Sequence, residues 1–123
     1  MRFMILIQSN PDSREVFERL SEEQRIAFGR AHLALTEELA GTGELVASEG
    51  LPEPSAATLV RVRGGRVLTS DGPFAEAKEH LAGFYLVDCT GLDRAVEIAA
   101  RAPDAATGSV EVRPVYDFSQ FDV

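Results

Sequence analysis

The side chains with the widest chemical range in this chain are His32, Asp71 and a charged cluster just after Asp71. His32 stands four residues after Phe28 and three before Leu35, so it shares the apolar face of a helix. A histidine on such a face needs both ring nitrogens satisfied by a carboxylate, a carbonyl or water. Two readings stand for it: a hydrogen-bonded structural residue, or a general base at the floor of a pocket between helix and sheet. Asp71 opens the segment Asp71-Gly72-Pro73-Phe74-Ala75-Glu76-Ala77-Lys78-Glu79. Its carboxylate either caps a single helical turn with Pro73 at the first position, or orients His32 and stabilises its imidazolium. Lys78 belongs to a solvated turn with Glu76, Glu79 and His80, or it neutralises an anionic ligand with Phe74 as the apolar wall. His32 and His80 lie 48 positions apart with no paired ligand, which is a weak signal for a metal, so no cofactor is expected.

The elements that must position these groups follow from apolar spacing and breakers. Residues 1–8 form a short apolar run ended by Ser9-Asn10-Pro11, which reads as a buried strand. Asp12 with Glu15, and Ser21 with Gln24, have capping-box spacing, predicting helices over about 13–20 and 22–41. Phe28, Leu35 and Leu39 form the stripe of the longer helix, and Gly41 and Gly43 end it. A strand over 44–48 and a loop at Pro52-Glu53-Pro54-Ser55 come next. Gly64-Gly65 between two β-branched runs, 58–63 and 66–69, predicts a hairpin with a type I′ turn. In it Arg61 and Arg63 alternate onto one face, which reads as solvent or a dimer rim. A strand over 82–88 precedes a helix capped by Thr90 and carrying Leu92, Val96 and Ala99, stopped by Pro103. The last strand, 110–113, meets Pro114, so its ladder ends there or lies at an edge.

Strand, helix, strand, hairpin, strand, helix, strand describes an α+β fold with one helical layer on a mostly antiparallel sheet. The expected arrangement is a ferredoxin-like sandwich with an inserted hairpin, as one domain over 1–123. One helical layer leaves the other sheet face bare and apolar, which predicts a symmetric homodimer with sheet-to-sheet packing. Phe74, the one large apolar group in its segment, is expected to turn inward and pin the corner.

Composition narrows the function. With 123 residues and 45% hydrophobic content, the chain can bury a core without staples. A formal net charge of −8 argues against nucleic acid and anionic membrane as partners. No apolar run reaches the roughly 18 residues of a membrane span, and the N-terminus lacks a signal-peptide pattern. A lone Cys89 fits a reducing cytoplasm and reads as a small buried residue. Walker and Cys-x-x-Cys patterns are absent.

Asp-Gly-Pro-Phe-Ala-Glu-x-Lys-Glu resembles the signature of the YCII-related family, in the branch called DGPF-domain proteins. Residues 2–7, Gly43-Glu44-Leu45-Val46 and 110–115 resemble that family's first, second and last strands. The resemblance implies a ferredoxin-like fold whose sheets pack face to face as a dimeric α+β barrel. Arg30-Ala31-His32-Leu33-Ala34 resembles the family's Arg-x-x-His-Leu-Ala segment, with the arginine one residue displaced. That implies a site histidine at His32 and a His–Asp catalytic pair with Asp71. One branch of the family eliminates chloride from a chlorinated aromatic hydroxy compound without a cofactor. The implied function is therefore a cofactor-independent lyase or isomerase acting on a small acidic or enolisable molecule. The alternative is a non-catalytic binding or interaction module, since DGPF domains occur fused to, or encoded beside, sigma-factor-like transcription proteins.

Overall fold

A computed structural model describes residues 1–74 and 78–121. Their elements run β1 (Arg2–Ser9), α1 (Pro11–Glu18), α2 (Glu22–Thr42), β2 (Leu45–Gly50), β3 (Thr58–Arg63), β4 (Arg66–Asp71), β5 (His80–Asp88), α3 (Leu92–Ala100) and β6 (Val110–Pro114). The fold is α+β: an antiparallel sheet in the order β2-β5-β1-β6, with β3 and β4 forming a separate two-stranded sheet. Among the described residues no helix is long and apolar enough to cross a membrane.

Alternation along β1 and β5 decides which side is core. Phe3, Ile5 and Ile7 of β1 and Tyr85 and Val87 of β5 are buried against Leu35 and Leu39 of α2 and Ala95 and Ile98 of α3. Ile5, Leu39, Ile98 and Val87 are the largest fully buried side chains, each worth about 1.5–3 kcal/mol of apolar burial. The alternate residues Met4, Leu6, Phe84 and Leu86 point to the opposite face and are only half-buried. In register Met4 faces Leu86 and Leu6 faces Phe84, so four apolar side chains adjoin on a face without helices.

Several boundaries differ from expectation for local reasons. The cap of α1 is Asn10, not Asp12: its side chain accepts from the Ser13 amide, and Ser13 Oγ accepts from the Asn10 amide. Pro11 has no N–H to satisfy and a φ suited to the first helical position, so the helix starts two residues earlier. The box on Ser21 and Gln24 forms as expected. In α3 the cap is Gly91 rather than Thr90, and Leu92 and Val96 are exposed while Ala95, Ile98 and Ala99 are buried. The helix therefore presents Ile98 flanked by two alanines to the sheet. Gly64 and Gly65 both take positive φ (56° and 75°), as a type I′ hairpin requires. Pro114 closes β6 at a sheet edge.

The helical layer is also tied down by charge. Arg94 of α3 donates to both carboxylate oxygens of Glu44, at 2.9 and 2.8 Å, just before β2. That two-pronged contact, with a bond from Thr42, pulls the Glu44 carboxyl down to about 2.

Candidate active site

Tertiary structure converges on His32 from three separate segments. His32 lies on α2, one turn before Thr36, whose hydroxyl donates to the His32 carbonyl at 3.0 Å. Tyr85 comes from the inward face of β5, and its Oη stands 2.6 Å from His32 Nδ1. Asp104 follows Pro103 in the 3₁₀ turn Pro103–Thr107, and its Oδ1 stands 2.6 Å from His32 Nε2. The His32 and Tyr85 rings stack 5.9 Å apart, and Phe28 meets the imidazole edge-on at 5.3 Å. Both ring nitrogens are thus held, and the ring plane is held as well.

The bonds define two proton arrangements. With Asp104 ionised, Nε2–H donates to Oδ1, and Nδ1 accepts from the Tyr85 hydroxyl. Once Nδ1 is protonated it donates to Oη, and the tyrosine hydrogen turns to the His32 carbonyl, 3.3 Å away. Neither state leaves an unpaired donor, and the carboxylate balances the imidazolium in the second. Burial raises the Tyr85 hydroxyl above its usual 10.0, and the Asp104 charge raises it further, against the lowering bond from Thr36. The phenol is therefore protonated at neutral pH. Asp104, His32 and Tyr85 form a hydrogen-bonded triad with the geometry of a proton relay.

These three side chains line a cavity of about 500 Å³ between α2 and the sheet. Phe28, Leu33, Phe84 and Gly83 supply apolar wall, and Thr36, Ser48 and Glu49 supply polar groups. Two carboxylates, Glu49 and Asp104, line it, and no Lys or Arg does among the described residues.

His32 is where expected, on the helix face toward the sheet, but its carboxylate is Asp104 and not Asp71. Asp71 is exposed at the end of β4, paired in register with Thr58, and is not among the residues lining the His32 cavity. Asp71 is the last residue of β4, and most of the helical turn that it could have capped lies outside the described residues. Phe74 does not turn inward: it is 53% exposed, with the Arg61 guanidinium 5.9 Å from its ring centre. It walls a second cleft of about 450 Å³ with Pro52, Pro54, Leu59, His80 and Leu81. Lys78 is exposed and lines neither cavity among the described residues. Glu76, part of the charged cluster, lies outside the described residues. His32 and His80 fall in different cavities, and among the described residues no three metal-binding side chains come together. Cys89 is buried, as expected.

Tyr85 and Asp104 were not singled out from sequence. Tyr85 belongs to a strand whose alternation places it inward, so its hydroxyl had to find a partner there. Asp104 carries no such sign, because nothing local tells a 3₁₀ turn after Pro103 to face α2.

A family model described as YCII-related domain matches residues 1–119. An uncharacterized protein of Rhizobium meliloti (strain 1021) is 51% identical over 67 residues, covering 53% of this chain and 53% of that protein. The match therefore spans about half the length of that relative.

Proposed function

Since the chain belongs to the YCII-related family, we propose that it is a cofactor-independent lyase or isomerase that moves a proton on a small enolisable molecule. The observation that carries this reading is the Asp104–His32–Tyr85 relay opening into a cavity of about 500 Å³. A substrate proton passes to Tyr85 Oη while the tyrosine proton passes to His32 Nδ1, and Asp104 stabilises the imidazolium. The reverse step returns the proton to a different atom of the substrate, or protonates a leaving group. Asp104 takes the role first assigned to Asp71. The cavity's two carboxylates, and the lack of a lining cation among the described residues, favour an uncharged enolisable molecule over an acidic one. Phe74 belongs in this reading to the neighbouring cleft, as a ligand contact apart from the proton transfer, and Lys78 has no part in either cavity among the described residues.

The segment from Asp71 to Glu79 supports placement in the DGPF branch. The sheet order supports a ferredoxin-like reading, and the apolar face of Met4, Leu6, Phe84 and Leu86 supports a homodimer closed as an α+β barrel. The test is hydrogen–deuterium exchange at carbon, followed by NMR, across a panel of small ketones, β-diketones and hydroxyketones. Exchange by the wild type that H32N and Y85F lose is the expected result. Equal exchange by wild type and both variants, or none with any compound, refutes the reading.

A further inference from the structure

The β3–β4 hairpin is built unlike the rest of the chain. It hydrogen-bonds to no strand of the main sheet, and every residue of both strands except Leu59 is exposed. Val60, Val62 and Val67 share one face, at 64, 64 and 68% exposure, with Val62 directly opposite Val67. The other face carries Arg61, Arg63 and Arg66 beside Leu68. A two-stranded hairpin with both faces wet is marginal alone, because nothing covers its apolar side chains. The ends of this one are pinned where the Gly72 amide donates to the Ala57 carbonyl at 2.8 Å. Charge is distributed as unevenly as burial. Residues 58–70 hold three arginines and no acidic residue, in a chain whose formal net charge is −8, so the rest of the chain carries the whole acidic excess. Among the described residues none of these three arginines is in an ion pair.

We infer that the hairpin is an arm that a second copy of this chain grips on both faces, its valine face covered there and the arginines of its opposite face set against that copy's carboxylates. A second copy is the partner that matches the arm in charge, since the rest of the chain carries the acidic residues that this arm lacks. Apolar burial gives the contact its strength, and the arginines give it orientation and salt dependence. The arm is a separate interaction surface from the open sheet face, and rests on the homodimer reading for the partner alone.

Two measurements test it. In the first, Val62 is replaced by a photo-crosslinking phenylalanine analogue, and ¹⁴N- and ¹⁵N-labelled chains are mixed and irradiated. Crosslinked pairs of mixed isotope are expected. Only intrachain products, or none, overturn the proposal. In the second, the triple variant R61E/R63E/R66E is compared with wild type by analytical ultracentrifugation at low and high salt, with circular dichroism confirming the fold. Self-association of the variant is expected to be weaker by about tenfold or more at low salt, with the gap closing at high salt. Equal association at both salt concentrations overturns the arm and leaves the sheet-face dimer standing. A wild type that is monomeric at about 100 μM overturns both.

Discussion

Removing one oxygen atom, in Tyr85→Phe, tests both the relay and its cost to the fold. Tyr85 is 4% exposed, and its ring packs in the core, so phenylalanine fills the same space. Lost are the 2.6 Å contact with His32 Nδ1 and the 3.3 Å bond to the His32 carbonyl. The carbonyl keeps Thr36, so Nδ1 alone is left without a partner. A net hydrogen bond is worth about 0.5–1.5 kcal/mol, and a dry orphan would cost about 1–3 kcal/mol. Because the His32 side chain is 26% exposed and not fully buried, the lower range is expected, about 1 kcal/mol. Urea unfolding should show the midpoint moving down with an unchanged slope, and exchange at carbon should vanish. Below pH 10 the raised Tyr85 hydroxyl adds no pH dependence. As pH rises from 10.0 through its higher folded value the wild type should lose stability, and the variant should lack that part of the loss. A variant as stable as wild type would mean the 2.6 Å contact is not a bond. A variant that keeps full exchange activity would remove Tyr85 from the relay.

Other outcomes follow from the same packing and charge. Glu44→Gln should flatten the acid limb: the wild type's stability is present above about 4.5 and lost as pH falls toward about 2, checked by unfolding at pH 7 and pH 3. Its cost at pH 7 should be about 1 kcal/mol, because water screens the partly exposed Arg94 pair. Gly83→Ala would place a Cβ 2.9 Å from the Glu49 carbonyl oxygen, which is backbone and cannot swing aside, so a loss of about 1–3 kcal/mol in thermal unfolding is expected. Phe74→Ala should cost less than about 1 kcal/mol, since half the ring is already in water, yet weaken any apolar ligand of its cleft by calorimetry. Asp104→Asn should leave the fold intact by circular dichroism and cut proton exchange by at least about tenfold, the amide being unable to balance an imidazolium.

Local chemistry made much of the fold legible. Gly64-Gly65 marked the hairpin because few other residue pairs accept positive φ twice, and Ser21 with Gln24 marked the start of α2 through a reciprocal bond. His32 was legible too, because a polar ring on an apolar stripe must face something that satisfies it. Its partner was not. Asp71 stands two residues before a proline and Asp104 directly after one, and sequence spacing cannot say which loop folds back on α2. The orientation of α3 was misjudged for a related reason: Leu92-Val96-Ala99 and Ala95-Ile98-Ala99 are both plausible stripes. The sheet has room for the one with smaller side chains.

Tyr85 and Asp104 stand 53 and 72 positions from His32 along the chain, so the relay draws on a helix, a central strand and a late turn. Bringing such distant segments together closes long loops, whose entropy must be overcome before any of the bonds can form. No fragment, hairpin or helix pair can assemble the relay by itself. During refolding, recovery of proton transfer should therefore lag behind recovery of helical signal. A chain with native-like secondary structure but unsettled topology would have no activity at all.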